Sequence, residues 1–312
     1  VSALTGISWC DSTKNLWSGC QPAGPGCDNC YAARDSKRYG YDFSTLQHHS
    51  TKNAAQLQRW NDTPFYSCVV CGWRGFASTH RGLCSNDRLL PVRQSVFINS
   101  QSDFFDNRVP QAWRDEGYVI FERCTNLDII LLTKRIGNVR KMVPKAWLES
   151  WPAHVRMGAT MCNQDELVRD IYKLLALPAP VRLISFEPLL SDIDFTGLFA
   201  NPGSPYLHGD NVLTEIHWVI CGGESGPNAR PMHPEWARSV RQACIACEVP
   251  FHFKQWGEWQ AIDDMSVDAI NRTPGTAPGH RFHDGVDVYR VGKQRAGRLL
   301  DGREWNEFPR PV

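Results

Sequence analysis

The chain has 312 residues, 42 % of them hydrophobic and 21 % charged, and a formal net charge of +1 from 34 basic and 33 acidic side chains. This is the composition of an ordinary globular protein with room for one large core, and it excludes a disordered or collagen-like chain. No apolar run approaches the roughly 20 residues that span a bilayer, and so small a net charge argues against bulk attraction to nucleic acid.

The opening Val-Ser-Ala-Leu-Thr-Gly lacks the basic and apolar regions of a signal peptide, so a cytoplasmic location is expected. Twelve cysteines are many for a reducing compartment, where clustered thiols more often hold metal than pair as disulfides. Cys20, Cys27 and Cys30 form one group and Cys68, Cys71 and Cys84 a second. Cys10, Cys124, Cys162 and Cys221 stand alone, and Cys244 with Cys247 fall on a helical pattern where core packing is the better reading.

The first group reads Gly19-Cys20-Gln-Pro-Ala-Gly-Pro-Gly-Cys27-Asp-Asn-Cys30-Tyr31, a C-x6-C-x2-C spacing. Its Gly and Pro residues predict a tight loop around a compact inorganic core, opening into a helix over residues 31–39. No fourth cysteine lies close by. Four thiolates close a zinc or electron-transfer site, whereas three on a four-iron cluster leave one iron open for a ligand. A zinc knob with a distant fourth ligand fits the spacing equally well.

Residues 41–92 look like an insertion with cysteines of its own. Cys68-Val-Val-Cys71-Gly-Trp-Arg-Gly is half of a zinc-ribbon pattern; with Cys84 it needs a fourth ligand, for which His80 is the first candidate and Asp87 the second. Gln47, His48 and His49 are expected to be solvated.

Beyond the insertion, β-rich runs alternate with helical stretches. Strands are predicted over residues 95–99, 128–133, 154–160, 181–187, 216–221 and 250–253, and helices over 110–122, 136–149, 163–175 and 234–247. Continuous apolar strands alternating with helices predict a parallel α/β fold, either a full or partial (β/α) barrel or an open doubly wound sheet. In such folds chemistry gathers at the carboxyl ends of strands. Polar residues lie there: Asn99, Ser100, Ser102 and Asp103; Thr133, Lys134 and Arg135; Glu187; and Gly222, Gly223, Glu224 and Ser225. The last group offers close backbone approach and an acid for an ammonium or ribose, or else a plain strand–helix turn. Residues 99–103 offer hydrogen bonds to a cofactor, or else a helix cap. Glu187 faces the site, or pairs with Arg182 or Arg230. Lys254, in Phe-Lys-Gln-Trp-Gly-Glu-Trp, clamps a ligand or pairs with Glu258. After Trp259 the chain is polar and rich in Gly and Pro through about Asp287, and it ends in a hairpin-like cap.

Several blocks together resemble a known family. They are ISWCDSTKNLWSGC with CDNCYA, FINSQSDFFDNRVP, ILLTKRIGNVRKMVP, RLISFEPLLSDIDF, HWVICGGESGPNARPMHPEWARSVR, VPFHFKQWGEW and AGRLLDGREW, in order and nearly end to end. The chain is similar to the phage and bacterial three-Cys-motif family, a radical SAM-like family catalogued as a phage domain of unknown function. Cys10 stands where the family more often has Thr and is given no role.

The resemblance implies a partial (β/α) barrel of the radical SAM type over residues 1–257, interrupted by the insertion, with an irregular cap over 258–312. It implies a [4Fe-4S] cluster on Cys20, Cys27 and Cys30 that cleaves S-adenosylmethionine. Tyr31, Asn99, Ser100, Ser102, Asp103, Thr133, Gly222, Gly223, Glu224 and Ser225 are then candidate cofactor-binding residues, and Lys134, Glu187 and Lys254 candidate catalytic ones. Cys68, Cys71, His80 and Cys84 would hold Zn2+. The expected reaction is a radical isomerisation or lyase step on a modified nucleobase or nucleotide, in DNA modification or in lesion repair of the spore photoproduct lyase kind. The expected partners are an electron donor such as flavodoxin or ferredoxin and a three-Cys-motif partner protein, in the host cytoplasm if the chain is phage-encoded. The competing reading is a non-catalytic, metal-dependent subunit of a modification or defence complex.

Overall fold

The computed structural model describes residues 5–81, 84–199, 211–265 and 277–309. In chain order its elements are β1 (Ser12–Lys14), β2 (Trp17–Ser18), α1 (Tyr31–Arg38), β3 (Gln47–His48), α2 (Ser50–Asn61), β4 (Tyr66–Cys68), β5 (Arg74–Gly75), β6 (Leu89–Pro91), β7 (Gln94–Ile98), α3 (Gln111–Arg123), β8 (Leu127–Thr133) and α4 (Ile136–Met142). They continue with α5 (Lys145–Glu149), β9 (Val155–Thr160), α6 (Gln164–Leu175), β10 (Arg182–Phe186), β11 (Trp218–Gly222), α7 (Pro234–Ala246), β12 (Phe251–Gln255), β13 (Trp259–Ala261), β14 (Gly279–Arg281), β15 (Asp287–Arg290) and α8 (Lys293–Ala296).

Seven parallel strands in the order β1-β7-β8-β9-β10-β11-β12 form a half-barrel sheet. Six of them match the predicted strands. The seventh, β1, was not anticipated: Ser-Thr-Lys carries no apolar run, and it is a strand because Ser12–Lys14 pairs in register with residues 96–98 at the sheet edge. The predicted helix over residues 136–149 is two helices, α4 and α5, with Pro144 at the N-cap of the second. Proline has no N–H to continue the ladder and pushes the residue before it, Val143, into extended backbone.

The period of two along each strand sorts side chains to two faces. Val96, Ile129, Met157, Ile184 and Val219 meet the helices in the main core. Phe97, Ile130, Leu183, Trp218 and Ile220 point the other way and pack with Trp9 and Cys10 of the amino-terminal segment in a second, smaller core. The concave side of the sheet is thus filled with apolar side chains at its lower levels. Below them Asp128 pairs with Arg156 and Arg93. Continued upward, the same alternation brings Lys134, Cys162, Glu187, Gly222 and Lys254 to the carboxyl ends of the strands.

Residues 41–92 are not a single unit. Leu57 and Trp60 of α2 belong to the main core, and only β5-β4-β6 forms a separate antiparallel sheet. That small sheet is fastened to the half-barrel by Arg74, whose guanidinium forks onto Asp11 at 2.9 and 2.8 Å, while Asp11 also accepts from Ser95 N and Oγ. Gln47 and His48 pair with β2 as a short strand, His49 bonds Ser18 Oγ, and the His48 ring stacks on Trp113; His48 and His49 are exposed, as expected, while Gln47 is half-buried.

The cap is ordered around a second three-stranded antiparallel sheet, β13-β15-β14. Residues 305–307 run along the free edge of β12, bonding Phe253 N and Phe251 O. Part of the predicted Gly- and Pro-rich stretch, residues 266–276, lies outside the described residues, as do residues 1–4 of the opening segment.

Candidate metal centre

The three thiols of the first group sit at the carboxyl end of the sheet, on the loop that follows β1 and β2. Cys20 is held by its backbone N–H to Phe43 O. Cys27 ends a single 3-10 turn that starts at Pro25, and Cys30 is the N-cap of α1 with its sulfur making no cap bond. All three are partly exposed. Ala23 N donates to Cys27 Sγ at 3.4 Å and Arg135 Nη1 lies 3.8 Å from Cys20 Sγ. Burial, followed by Asp103, pushes the Cys20 thiol up to about 11, with Arg135 pulling the other way.

The loop is built against the sheet without slack. A Cβ on Gly26 would meet Cys162 Sγ at 2.2 Å, and one on Gly24 would meet Glu166 Oε1 at 2.4 Å. Cys162 is fully buried, its N–H bonds Glu166 Oε2 at 2.7 Å, and burial pushes its thiol up to about 12. It therefore packs beneath the loop as a neutral thiol. The sequence reading left Cys162 standing alone; the period-two run 158, 160 of β9, continued to 162 just past its end, is the signal that could have found it.

Among the described residues, the only group of three or more Cys, His or acidic residues with ligand atoms all within 4.8 Å of one another is Cys68, Cys71, His80 and Cys84. The two cysteine groups therefore differ in kind. One tetrahedral ion with metal–sulfur bonds of about 2.3 Å brings its ligand atoms within roughly 3.6–3.8 Å of each other. Cys71 Sγ lies 3.7 Å from His80 Nε2, as such an ion requires. The Cys20, Cys27 and Cys30 sulfurs do not all lie within 4.8 Å of one another, so they are not drawn up around one point as the second set is. In the second group the backbone N–H groups of Cys71 and Val70 pull the Cys68 thiol down to about 7, while burial and the neighbouring thiols push Cys84 to about 11. His80 is thus the fourth member of a group that could hold a metal ion, ahead of Asp87, which bonds Ser85.

The other sequence candidates divide into those that line the mouth and those that build it. Tyr31 donates its hydroxyl to Ser100 O beside Cys30. Lys134 makes no side-chain hydrogen bond or ion pair among the described residues; burial lowers its pKa, but Cys162, Cys27, Cys30 and Asp103 outweigh it and hold the ammonium charged. Lys254 Nζ lies 2.7 Å from Glu187 Oε1, so the two candidate catalytic residues pair with each other. Glu258 bonds Gly226 N instead of Lys254, and Arg230 pairs with Glu224 and Asp28 instead of Glu187.

Asn99, Ser102, Asp103 and Thr133 are part of the framework. Asn99, at φ 60°, accepts from Leu16 N; Ser102 Oγ donates to Trp17 O. Asp103 accepts from Thr133 Oγ1, Lys134 N and Arg135 Nη1, and so ties β7 to β8 below the thiols. The segment caps no helix, because α3 begins after Pro110. Gly223 is a glycine because backbone, not ligand, approaches it: a Cβ there would meet Trp256 O at 1.9 Å. Glu224 is taken up by Arg230 and Asn29. Gly222 packs on Lys254, and Ser225 meets Arg34 through its carbonyl at 3.5 Å. Sequence reading passed over Asp106 and offered Arg230 only as a partner for Glu187; their roles depend on partners roughly 30 and 200 positions away.

The fold and site define an α/β half-barrel protein with a thiol loop at the carboxyl end of its sheet and, on a small insertion, a set of four side chains that could hold a metal ion. A family model described as a protein of unknown function (DUF5131) matches residues 4–309, and the chain belongs to that family. Searches of curated proteins and of solved structures return no match. No helix among the described residues is long and apolar enough to cross a membrane.

Proposed function

We propose that the chain is a radical SAM enzyme, with a [4Fe-4S] cluster on Cys20, Cys27 and Cys30 and Zn2+ on Cys68, Cys71, His80 and Cys84. The observation that carries this reading is the first thiol set itself: three partly exposed sulfurs on one loop, not gathered around a single point, at the carboxyl end of a half-barrel. A peptide N–H and the Arg135 cation lie against them, as befits thiolates holding a redox cluster. A cluster with one open iron would supply one electron to S-adenosylmethionine, splitting a C–S bond to methionine and a 5′-deoxyadenosyl radical.

The residues of the chain have separate tasks in this reading. Tyr31 and Ser100 shape the wall beside Cys30. Lys134 offers an unpaired ammonium under the thiols. The Glu187–Lys254 pair stands across the mouth, where it can bind substrate and move a proton. The filled lower levels of the concave face keep water from below. A nucleobase or nucleotide substrate, rearranged or cleaved in DNA modification or lesion repair, is supported by the cations that converge on the turn after β11. Arg34 reaches Ser225 O and Arg290 donates to Gly226 O at 2.9 Å, with Lys254 beside them.

The test is anaerobic reconstitution followed by iron and sulfide analysis, dithionite reduction and addition of S-adenosylmethionine. About four irons per chain and 5′-deoxyadenosine from wild type, with neither from Cys27→Ala, is the expected result. Zinc in place of iron on the first loop would overturn it.

A further inference from the structure

We propose that the face made by the cluster loop and the outer sides of α4 and α6 is the docking surface for an acidic one-electron donor protein. This rests on the reading above, in which the thiol centre must receive one electron before each cleavage: the donor is oxidised by one electron and the centre reduced by one.

A cleft of about 360 Å3 opens on this face, between residues 21–23 of the loop, residues 134–138 at the start of α4, and Arg169 and Asp170 of α6. Residues 21–23 run between two of the ligand cysteines, so a single layer of chain separates the cleft from the thiols. That layer is wired to them: Ala23 N bonds Cys27 Sγ, and Arg135 reaches Gln21 O at 2.6 Å and Cys20 Sγ at 3.8 Å. The substrate mouth, with Glu187 and Lys254, lies on the concave side, so donor and substrate need not compete for one surface.

The charge on this face is sorted by depth. Asp106, Glu166 and Asp170 are all buried. Their partners Arg108, Arg169 and Lys173 leave 32 %, 50 % and 46 % of their side chains exposed, and Arg140 stands exposed beside them. Asp165, one turn before Arg169, is the exposed acid nearest in sequence. The acids fix the cations in place, and a partner meets cations. On a chain of net charge +1 such a face is a local feature, and its complement is a partner with a negative surface. Electron-transfer encounters are small and weak, so charge steering suffices without a large apolar patch.

The experiment uses the full chain with its metal centres reconstituted and a bacterial flavodoxin as donor. Its readouts are complex affinity at low and high salt, the rate at which the visible absorbance of the cluster bleaches, and 5′-deoxyadenosine yield. Arg169→Glu/Lys173→Glu is expected to weaken the complex and slow flavodoxin-driven bleaching at least tenfold, with dithionite-driven bleaching within twofold of wild type. Arg123→Glu, the same kind of charge reversal at a single exposed position at the far end of α3, is the control. Flavodoxin-driven reduction that ignores the double substitution, or that Arg123→Glu slows equally, overturns the proposal. If the double variant loses dithionite reduction as well, Arg140→Glu, which lies off the loop, decides in the same way. Bleaching without any 5′-deoxyadenosine in wild type would refute the radical reading and leave the docking result standing on its own readout.

Discussion

Glu224 and Arg230 are joined by three hydrogen bonds, from Arg230 N and Nε to Oε2 at 2.8 and 3.0 Å and from Nη2 to Oε1 at 2.7 Å. The same guanidinium goes on to Pro25 O at 2.8 Å and Asp28 Oδ2 at 3.0 Å. The turn after β11 therefore grips the thiol loop across nearly 200 positions of sequence. Burial raises the pKa of Glu224, but Arg230 and Asn29 outweigh it and keep the carboxylate ionised. Glu224→Gln keeps the shape and removes the charge. We expect iron per chain to fall below half of wild type and stability by about 2 kcal/mol, since Arg230 is partly solvated and recovers some hydration. Full iron with weakened S-adenosylmethionine binding would instead assign Glu224 to the ligand.

The fit of Gly26 on Cys162 gives a compensating pair. Gly26→Ala places a methyl 2.2 Å from the sulfur, so the loop must lift or Cys162 must turn. We expect poor cluster loading from this variant alone. Gly26→Ala/Cys162→Ala removes the sulfur and leaves the new methyl 3.5 Å from the Cys162 Cβ and 3.1 Å from Lys134 Cε, the far part of a flexible side chain that has only to shift by a few tenths of an ångström. Iron content restored to at least three quarters of wild type in the double variant is expected. No rescue would mean that Cys162 does more than pack.

Loss of the second metal should be local in chemistry and global in stability. Structural zinc contributes on the order of 10 kcal/mol to isolated small modules. Cys71→Ser is expected to drop zinc from about one per chain to near zero and to lower the Tm by several degrees, because Arg74 carries the disorder of β4–β6 to Asp11 and β7. Iron on the first loop should be retained. Simultaneous loss of both metals would contradict the division of roles, and metal analysis with calorimetry reads both.

His252 sets an acid limit. It is fully buried on the concave face, beside Ser8 Oγ, Trp218 and Phe308, and burial together with Arg298 and Lys254 holds its pKa down at about 3. The unfolded chain takes up this proton near pH 6.5 and the native chain does not until about pH 3. Its contribution is therefore complete above pH 6.5 and falls by about 1.4 kcal/mol per unit as pH drops through that window. Urea titrations from pH 7 to 4.5 should show this slope, and His252→Gln should flatten it.

The strands were legible because a sheet buried on both faces needs unbroken apolar runs, and the residues at their carboxyl ends followed by counting. The knuckle was legible because a four-ligand site is written in spacing, down to His80. What escaped has a common cause. Polar β1 is a strand only through its pairing partner. The Glu224–Arg230 and Asp103–Arg135 ties depend on which distant segments the fold brings together. Gly223 looked like room for a ligand and is room for Trp256.

The apolar filling of the concave face has one more consequence. Trp9, Trp218 and their neighbours stopper the half-barrel from below, and residues 305–307 run along the β12 edge. On the radical reading, a site closed from below imposes a queue: what lies deepest must arrive first and depart last. Kinetics with S-adenosylmethionine and a second reactant should follow a compulsory order, with the second reactant's products leaving ahead of the nucleoside.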